Sequence, residues 1–342
     1  MNKVFYNNLN SLFLNTLSRN CTEDDYYEFY KQFVNTNNFN NIKELLTCNY
    51  VFVPRDSGFF SVFNYLIGLI YYGYKIYPYW NKDVCLSKNK QLRHFCYFNL
   101  DVENSWFEYF EPIKYFEDDN NNYNCLHFKL NQGYNTPKEF KFIDYRRNFS
   151  KNKDFNSWRY KVNLIYKKYI KPLPIITNQV DEICKDFKNT IAVHYRHPSH
   201  SCEQGQVYFD DYFIKIDKLL LESPDSMIFL ATDNDLGILM FCNKYKEKII
   251  YRKEVDRTSV DNILDWAYAS SIGKTDHLGF INNIGYQIHY DSVSSIKLGH
   301  DVLIDTLCIC RCNTFVHTIS NIAFAVSYIN PDIDMVSIAT NN

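Results

Sequence analysis

Ten residues, from His194 to Glu203, hold three histidines, an arginine and a glutamate. Arg196 offers a planar fork of donors whose charge does not titrate away, which suits the oxygens of a diphosphate. If the residues before it form a strand, Ala192, His194 and Arg196 share one face. Glu203 follows, where a carboxylate could take a proton from a hydroxyl. The plainer alternative is an exposed polar loop leading into a helix, and the density of ionisable groups argues against it. His194, His197 and His200 also have the spacing of a zinc-binding helix face. Pro198 and the β-forming residues upstream oppose a helix there, so no metal is expected.

Two further clusters carry chemistry. In Thr232-Asp233-Asn234-Asp235, Thr232 or Asp233 would cap a helix beginning near Asn234, and a carboxylate at that turn could also hold a nucleobase or ribose. Thr318, Ser320 and Asn321 stand between a strand and a helix start. There, small hydroxyls and free backbone N–H groups make either an anion-binding corner or an ordinary cap. Upstream, Asp305 lies on an otherwise apolar helix face, which implies a partnered or ligand-facing carboxylate. In the first half, Arg55 and Gly58 precede a long apolar helix containing Asn64. That turn could approach a phosphate or sugar, although a buried turn is the favoured reading. Cys308, Cys310 and Cys312 could suggest a metal, but no second ligand pair accompanies them, and buried thiols are expected.

The elements that must position these groups are legible in the second half. Thr190 to Tyr195 (TIAVHY) and Met227 to Ala231 (MIFLA) read as buried strands, with Ile249 to Tyr251 as a third. Apolar residues at 209, 212, 213, 216, 219 and 220 make a helical stripe. Further helices are expected over 178–187, 234–246, 301–311 and 320–328, and further strands over 314–318 and 335–338. Strands alternating with helices of this length imply βαβ units and a parallel sheet. In such sheets ligands sit beyond the carboxyl ends of the strands, which selects the three clusters above.

A chain of 342 residues suggests two domains, and the prolines of Lys171 to Ile176 (KPLPII) divide it into 1–172 and 173–342. Lys and Arg number 37 against 39 Asp and Glu, a net charge of −2, which argues against a nucleic-acid partner. With 46% hydrophobic and 18% aromatic residues, the chain can bury a large core and is not disordered. Eleven cysteines in no regular framework, together with the absence of an apolar stretch in Met1 to Asn20, point to a reducing, cytoplasmic setting. Ser57 to Tyr74 is uncharged for 18 residues, the lower limit for a membrane span. Its glycines, serines, tyrosines and Asn64 fit a buried helix better, so no stable membrane insertion is expected.

Taken together, these pieces resemble the GT-B fucosyltransferases, the superfamily of α1,6-, protein-O- and rhizobial nodulation fucosyltransferases. Ile191 to Arg196 (IAVHYR) is similar to their H-x-R motif, whose arginine contacts the GDP diphosphate. Leu230 to Asn234 (LATDN) is similar to their second motif, whose acidic residue reaches the nucleoside. Asp305 with Thr318 to Asn321 (TISN) resembles the third, which closes the donor site. Glu203 falls about one residue from a carboxylate proposed as general base in some members. Gly58 to Asn64 resembles their N-terminal glycine turn. His197, Ser199 and His200 depart from the residues most members carry after the arginine.

The resemblance implies two Rossmann-like domains facing a central cleft, the second binding the donor and the first the acceptor. It implies transfer of fucose from GDP-fucose to a glycan hydroxyl, with inversion and with neither metal nor cofactor. Arg196 and Glu203 would be catalytic, and His194, His197, Asp233, Asn234, Asp305, Thr318, Ser320 and Asn321 would line the donor site. Arg55, Gly58 and Asn64 would lie on the acceptor side. Another nucleotide sugar on the same fold, or a non-catalytic nucleotide- or carbohydrate-binding relic, are the alternatives.

Overall fold

A computed structural model describes residues 50–53, 58–71, 75–78, 80, 97, 99, 101–102, 104–115, 127–130, 153–196, 207–261 and 295–338. By its contacts the chain divides into two compact units, Met1–Phe140 with Lys167–Pro172, and Lys141–Tyr166 with Leu173–Asn342.

In the first unit, β1 (Tyr50–Val53) leads to helix α1 (Phe59–Tyr71), then to β2 (Ile76–Pro78) and β3 (His127–Leu130). The strands form a parallel sheet in the order β2-β1-β3. Helix α1 carries no charged residue and is buried on nearly every side, the fate of a helix apolar all round. Phe59 meets the edge of Trp80 at 5.3 Å, and Phe63 stacks on Phe110 at 5.3 Å. Trp80 and Trp106 are wholly buried and belong to this core. Residues Phe59–Tyr71 of the uncharged stretch are therefore an interior helix, and among the described residues no helix is long and apolar enough to cross a membrane.

Helix α2 (Lys153–Tyr169) begins in the second unit, which continues through α3 (Pro174–Cys184), β4 (Thr190–Tyr195), α4 (Phe209–Glu222), β5 (Met227–Thr232) and α5 (Asp235–Tyr245). There follow β6 (Ile249–Ile250), α6 (Ser295–Ile309), β7 (Thr314–His317), α7 (Asn321–Ile329) and β8 (Asp334–Ser337). All five strands are parallel, in the order β6-β5-β4-β7-β8. From β4 the chain runs outward through β5 and β6, then returns to the other side for β7 and β8. This puts a topological switch point between β4 and β7, where doubly wound sheets bind ligands.

The strands are apolar on both faces because helices cover both. On one face Ile191, Val193 and Tyr195 of β4 join Ile228, Leu230, Val316 and, from the helices, Tyr212, Ile216 and Phe241. The other face of β4 carries Ala192 and His194. The expected stripe on α4 is real: Tyr212 and Ile216 are its buried residues. Helix α3 starts at Pro174, earlier than the 178–187 expected, because proline is pre-set for the first helical turn. Helix α6 starts six residues before the expected Asp301 and ends two before Arg311. Cys308 near its end and Cys312 just beyond it are buried as expected, Cys310 is only half-buried, and the Cys312 thiol donates to the Cys308 carbonyl at 3.5 Å.

Candidate functional site

Three strand ends meet at the switch point. Register pairs His194 of β4 with Ala231 of β5 on one side and with His317 of β7 on the other. Neighbouring strands lie about 4.8 Å apart, so the two histidines stand side by side. Both are buried, and burial pushes both imidazoles down to about 4. For His194 the Arg196 charge adds to that effect and the Asp233 carboxylate opposes it. Near neutral pH both rings are uncharged, each with one donor and one acceptor nitrogen. His317 Nδ1 lies 2.9 Å from the Thr318 carbonyl, which assigns the proton to Nδ1 because a carbonyl only accepts. His194 Nδ1 is buried with no hydrogen-bond partner among the described residues. The end of β4 is tied down by Tyr212 of α4, whose hydroxyl donates to the His194 carbonyl at 3.1 Å. Arg196 is the first residue beyond β4 and is half-buried.

At the end of β5 the helix cap is Asn234, not Thr232 or Asp233 as expected. Its backbone is extended (φ −145°, ψ 146°), and its Oδ1 accepts from Gly237 N–H at 2.7 Å. The amide has a second end, which is why asparagine serves here: Nδ2 donates to Asp233 Oδ1 at 3.0 Å and to Thr232 Oγ1 at 3.2 Å. Asn234 is completely buried, whereas Asp233 is exposed with one oxygen steered by it. Gly237 permits this arrangement, since a Cβ there would come within 2.8 Å of the Tyr195 ring and 3.0 Å of Thr232 Oγ1.

At the end of β7, Thr318 is fully buried and Ser320 caps α7, its Oγ accepting from Ala323 N–H at 3.0 Å. The cap reading therefore holds for Ser320. Helix α7 begins at Asn321, directly after this strand end. Asp305 on α6 is the partnered carboxylate, accepting from Arg252 Nη1 at 3.2 Å. Burial lifts its carboxyl to about 6 against the lowering effect of Arg252 and Arg257.

His194, Arg196, Asp233, Asn234, Thr318, Ser320 and Asn321 thus lie at adjacent strand ends of one sheet, with Asp305 on the helix that precedes β7. Gly58 and Asn64 belong to the first unit. Gly58 opens α1 by accepting from Ser61 N–H at 2.8 Å, but it is exposed, and a Cβ there would touch nothing among the described residues. Gly58 itself is thus not buried, whereas Asn64 is buried within α1. Arg55, His197, His200 and Glu203 lie outside the described residues. Sequence reasoning missed Gly237, Arg252, Arg257 and Thr258, which brace the β5 end without any motif of their own.

No family model matches this chain, and no curated protein matches it either. Among solved structures it is similar to the fucosyltransferase NodZ from Bradyrhizobium, 13% identical over 83% of this chain and 92% of that one, with a TM-score of 0.44. A structure of NodZ alpha-1,6-fucosyltransferase soaked with GDP-fucose is 14% identical over 83% of this chain and 93% of that one, with a TM-score of 0.45. POFUT1 in complex with GDP is 10% identical over 85% of this chain and 98% of that one, with a TM-score of 0.41.

Proposed function

We propose that this chain is a glycosyltransferase of the GT-B type that moves fucose from GDP-fucose to a glycan hydroxyl. The observation that carries the reading is the convergence, at one switch point, of the His194-x-Arg196 strand end, the Asp233 carboxylate and the start of α7. A fixed cation and a helix N-terminus suit a diphosphate, and an exposed carboxylate on the adjacent strand suits its nucleoside. The resemblance of the same three segments to fucosyltransferase motifs supports the choice of donor.

In the reaction, the acceptor oxygen would bond to the anomeric carbon while the bond from that carbon to the diphosphate oxygen breaks. The electron pair leaves with GDP, and the anomeric centre inverts. Arg196 and the N-terminus of α7 would stabilise the charge growing on the diphosphate, so that no metal is required. The acceptor proton needs a base, and His194 is a poor one because burial holds its imidazole down to about 4. Glu203 takes that role in this proposal.

The test is release of GDP from GDP-fucose over a panel of glycan acceptors, with GDP-mannose and UDP-sugars run in parallel. Acceptor-dependent release from GDP-fucose is expected, reduced roughly 10²- to 10⁴-fold by Glu203→Gln, the usual contribution of a positioned base. Turnover of another donor alone would overturn the fucose assignment, and turnover of none, with nucleotide still bound, would favour a non-catalytic binding protein.

A further inference from the structure

Residues 251–258, which follow β6, hold the Asp233 turn by its backbone. Thr258 N–H donates to the Asp233 carbonyl and Asp235 N–H donates to the Thr258 carbonyl, both at 2.9 Å, so that Asn234 and Thr258 are bridged as in a parallel sheet. Arg257 ties this segment to the strand end, with Nε donating to the Thr232 carbonyl at 3.1 Å and Nη2 to the Arg252 carbonyl at 2.7 Å. The segment is in turn anchored on α6 through Arg252. Its Nη2 donates to Asp301 Oδ1 at 2.8 Å, its Nη1 to the Asp301 carbonyl at 3.1 Å and to Asp305 Oδ1 at 3.2 Å, and its Nε to Glu254 at 2.8 Å. The side chains of Arg252 and Asp301 are only 5% and 8% exposed.

Burying an arginine with two carboxylates gains little stability over apolar residues of the same volume, because each charge loses its hydration. What such a cluster does supply is fixed geometry, and here every nitrogen of the guanidinium is engaged. The chain of contacts runs without a gap from α6 through Arg252 and the 251–258 segment to the backbone on both sides of Asn234. From there the Asn234 amide reaches the Asp233 carboxylate.

We propose that Arg252 is a positioning residue: clamped by Asp301 and Asp305, it sets the 251–258 segment against the β5 end and thereby fixes the Asp233 carboxylate for the nucleoside of the donor. This rests on the reading of the strand ends as a nucleotide site. It assigns to Asp305 a task at one remove from the ligand, as the anchor of Arg252.

The test is a double-mutant cycle on GDP affinity, measured by calorimetry on the full chain. Arg252→Lys keeps the charge and loses the fork, and is expected to weaken GDP about 10-fold in the wild-type background but less than about 2-fold when Asp233→Asn is already present. Combined with Arg196→Ala, the same substitution is expected to act independently, with losses that multiply. Equal losses from Arg252→Lys in the wild-type and Asp233→Asn backgrounds would overturn the positioning role, since general weakening of the fold ignores Asp233. Full affinity in Arg252→Lys would overturn it as well. If Arg252→Lys does not fold, Asp305→Asn runs through the same cycle with the same expected pattern. Wild-type protein that binds no GDP would overturn the nucleotide-site reading itself, whereas GDP binding insensitive to Asp233→Asn would overturn only the nucleoside contact and, with it, the role of Arg252.

Discussion

The two histidines at the strand ends make the site sensitive to acid in a calculable direction. Both imidazoles are held down to about 4, well below the ordinary 6.5, because burial penalises their charged forms. The unfolded chain therefore takes up two protons between pH 6.5 and 4 that the folded chain refuses. Their contribution to stability is complete above pH 6.5 and is lost as pH falls toward 4, on the order of 3 kcal/mol for each histidine. Asp305 works in the opposite sense: its carboxyl is raised from 3.8 to about 6, so its contribution grows as pH falls through that range. Two histidines outweigh one carboxyl of similar shift, and the balance is a loss on acidification. His317→Gln is expected to lose clearly less stability between pH 7 and 4.5 than the wild type. Urea unfolding at the two pH values reads this directly, and equal losses in both proteins would contradict it.

Helix α7 shows how one element is prepared at both ends. Its N-terminus is capped by Ser320 at the switch point, and its last carbonyls are taken by α2. Arg159 Nε donates to the Ser327 carbonyl at 2.8 Å and its Nη2 to the Ile333 carbonyl at 3.0 Å, while Asn163 donates to the Tyr328 and Ile329 carbonyls at 2.8 and 2.9 Å. A cation at the C-terminus and an anion at the N-terminus both suit the helix dipole. Arg159→Met keeps the packing and strands buried carbonyls, and is expected to cost about 3 kcal/mol in thermal or denaturant unfolding, from penalties of roughly 1–3 kcal/mol per orphaned group. No change in stability would mean that water serves those carbonyls. This brace was not legible in the sequence: Arg159 and Ser327 are 168 residues apart, and nothing in local spacing joins them. The strand–helix alternation was legible, because TIAVHY and MIFLA are buried runs that only a sheet covered on both faces accommodates. Where three capping residues stand in a row, at Thr232, Asp233 and Asn234, pattern alone identified the turn but not the member whose side chain accepts from the first helical turn.

Across the whole molecule, each unit contains its own parallel sheet, and the chemistry described here belongs to the second. The end of β4 before Arg196 was legible because a β-forming run gives way there to ionisable residues. The Arg252 clamp was not, since it joins residues 49 and 53 positions apart through burial alone. Near-neutral charge suits the proposed function, in which an anionic donor would be held by a few placed groups rather than by a basic surface. The most direct test of the account is calorimetric titration of GDP into the wild type and Arg196→Ala, each with EDTA present. The account predicts binding that survives EDTA and weakens roughly 10- to 100-fold in Arg196→Ala, the loss of a charge-assisted hydrogen-bonding pair. Binding abolished by EDTA, or unchanged in Arg196→Ala, would contradict it.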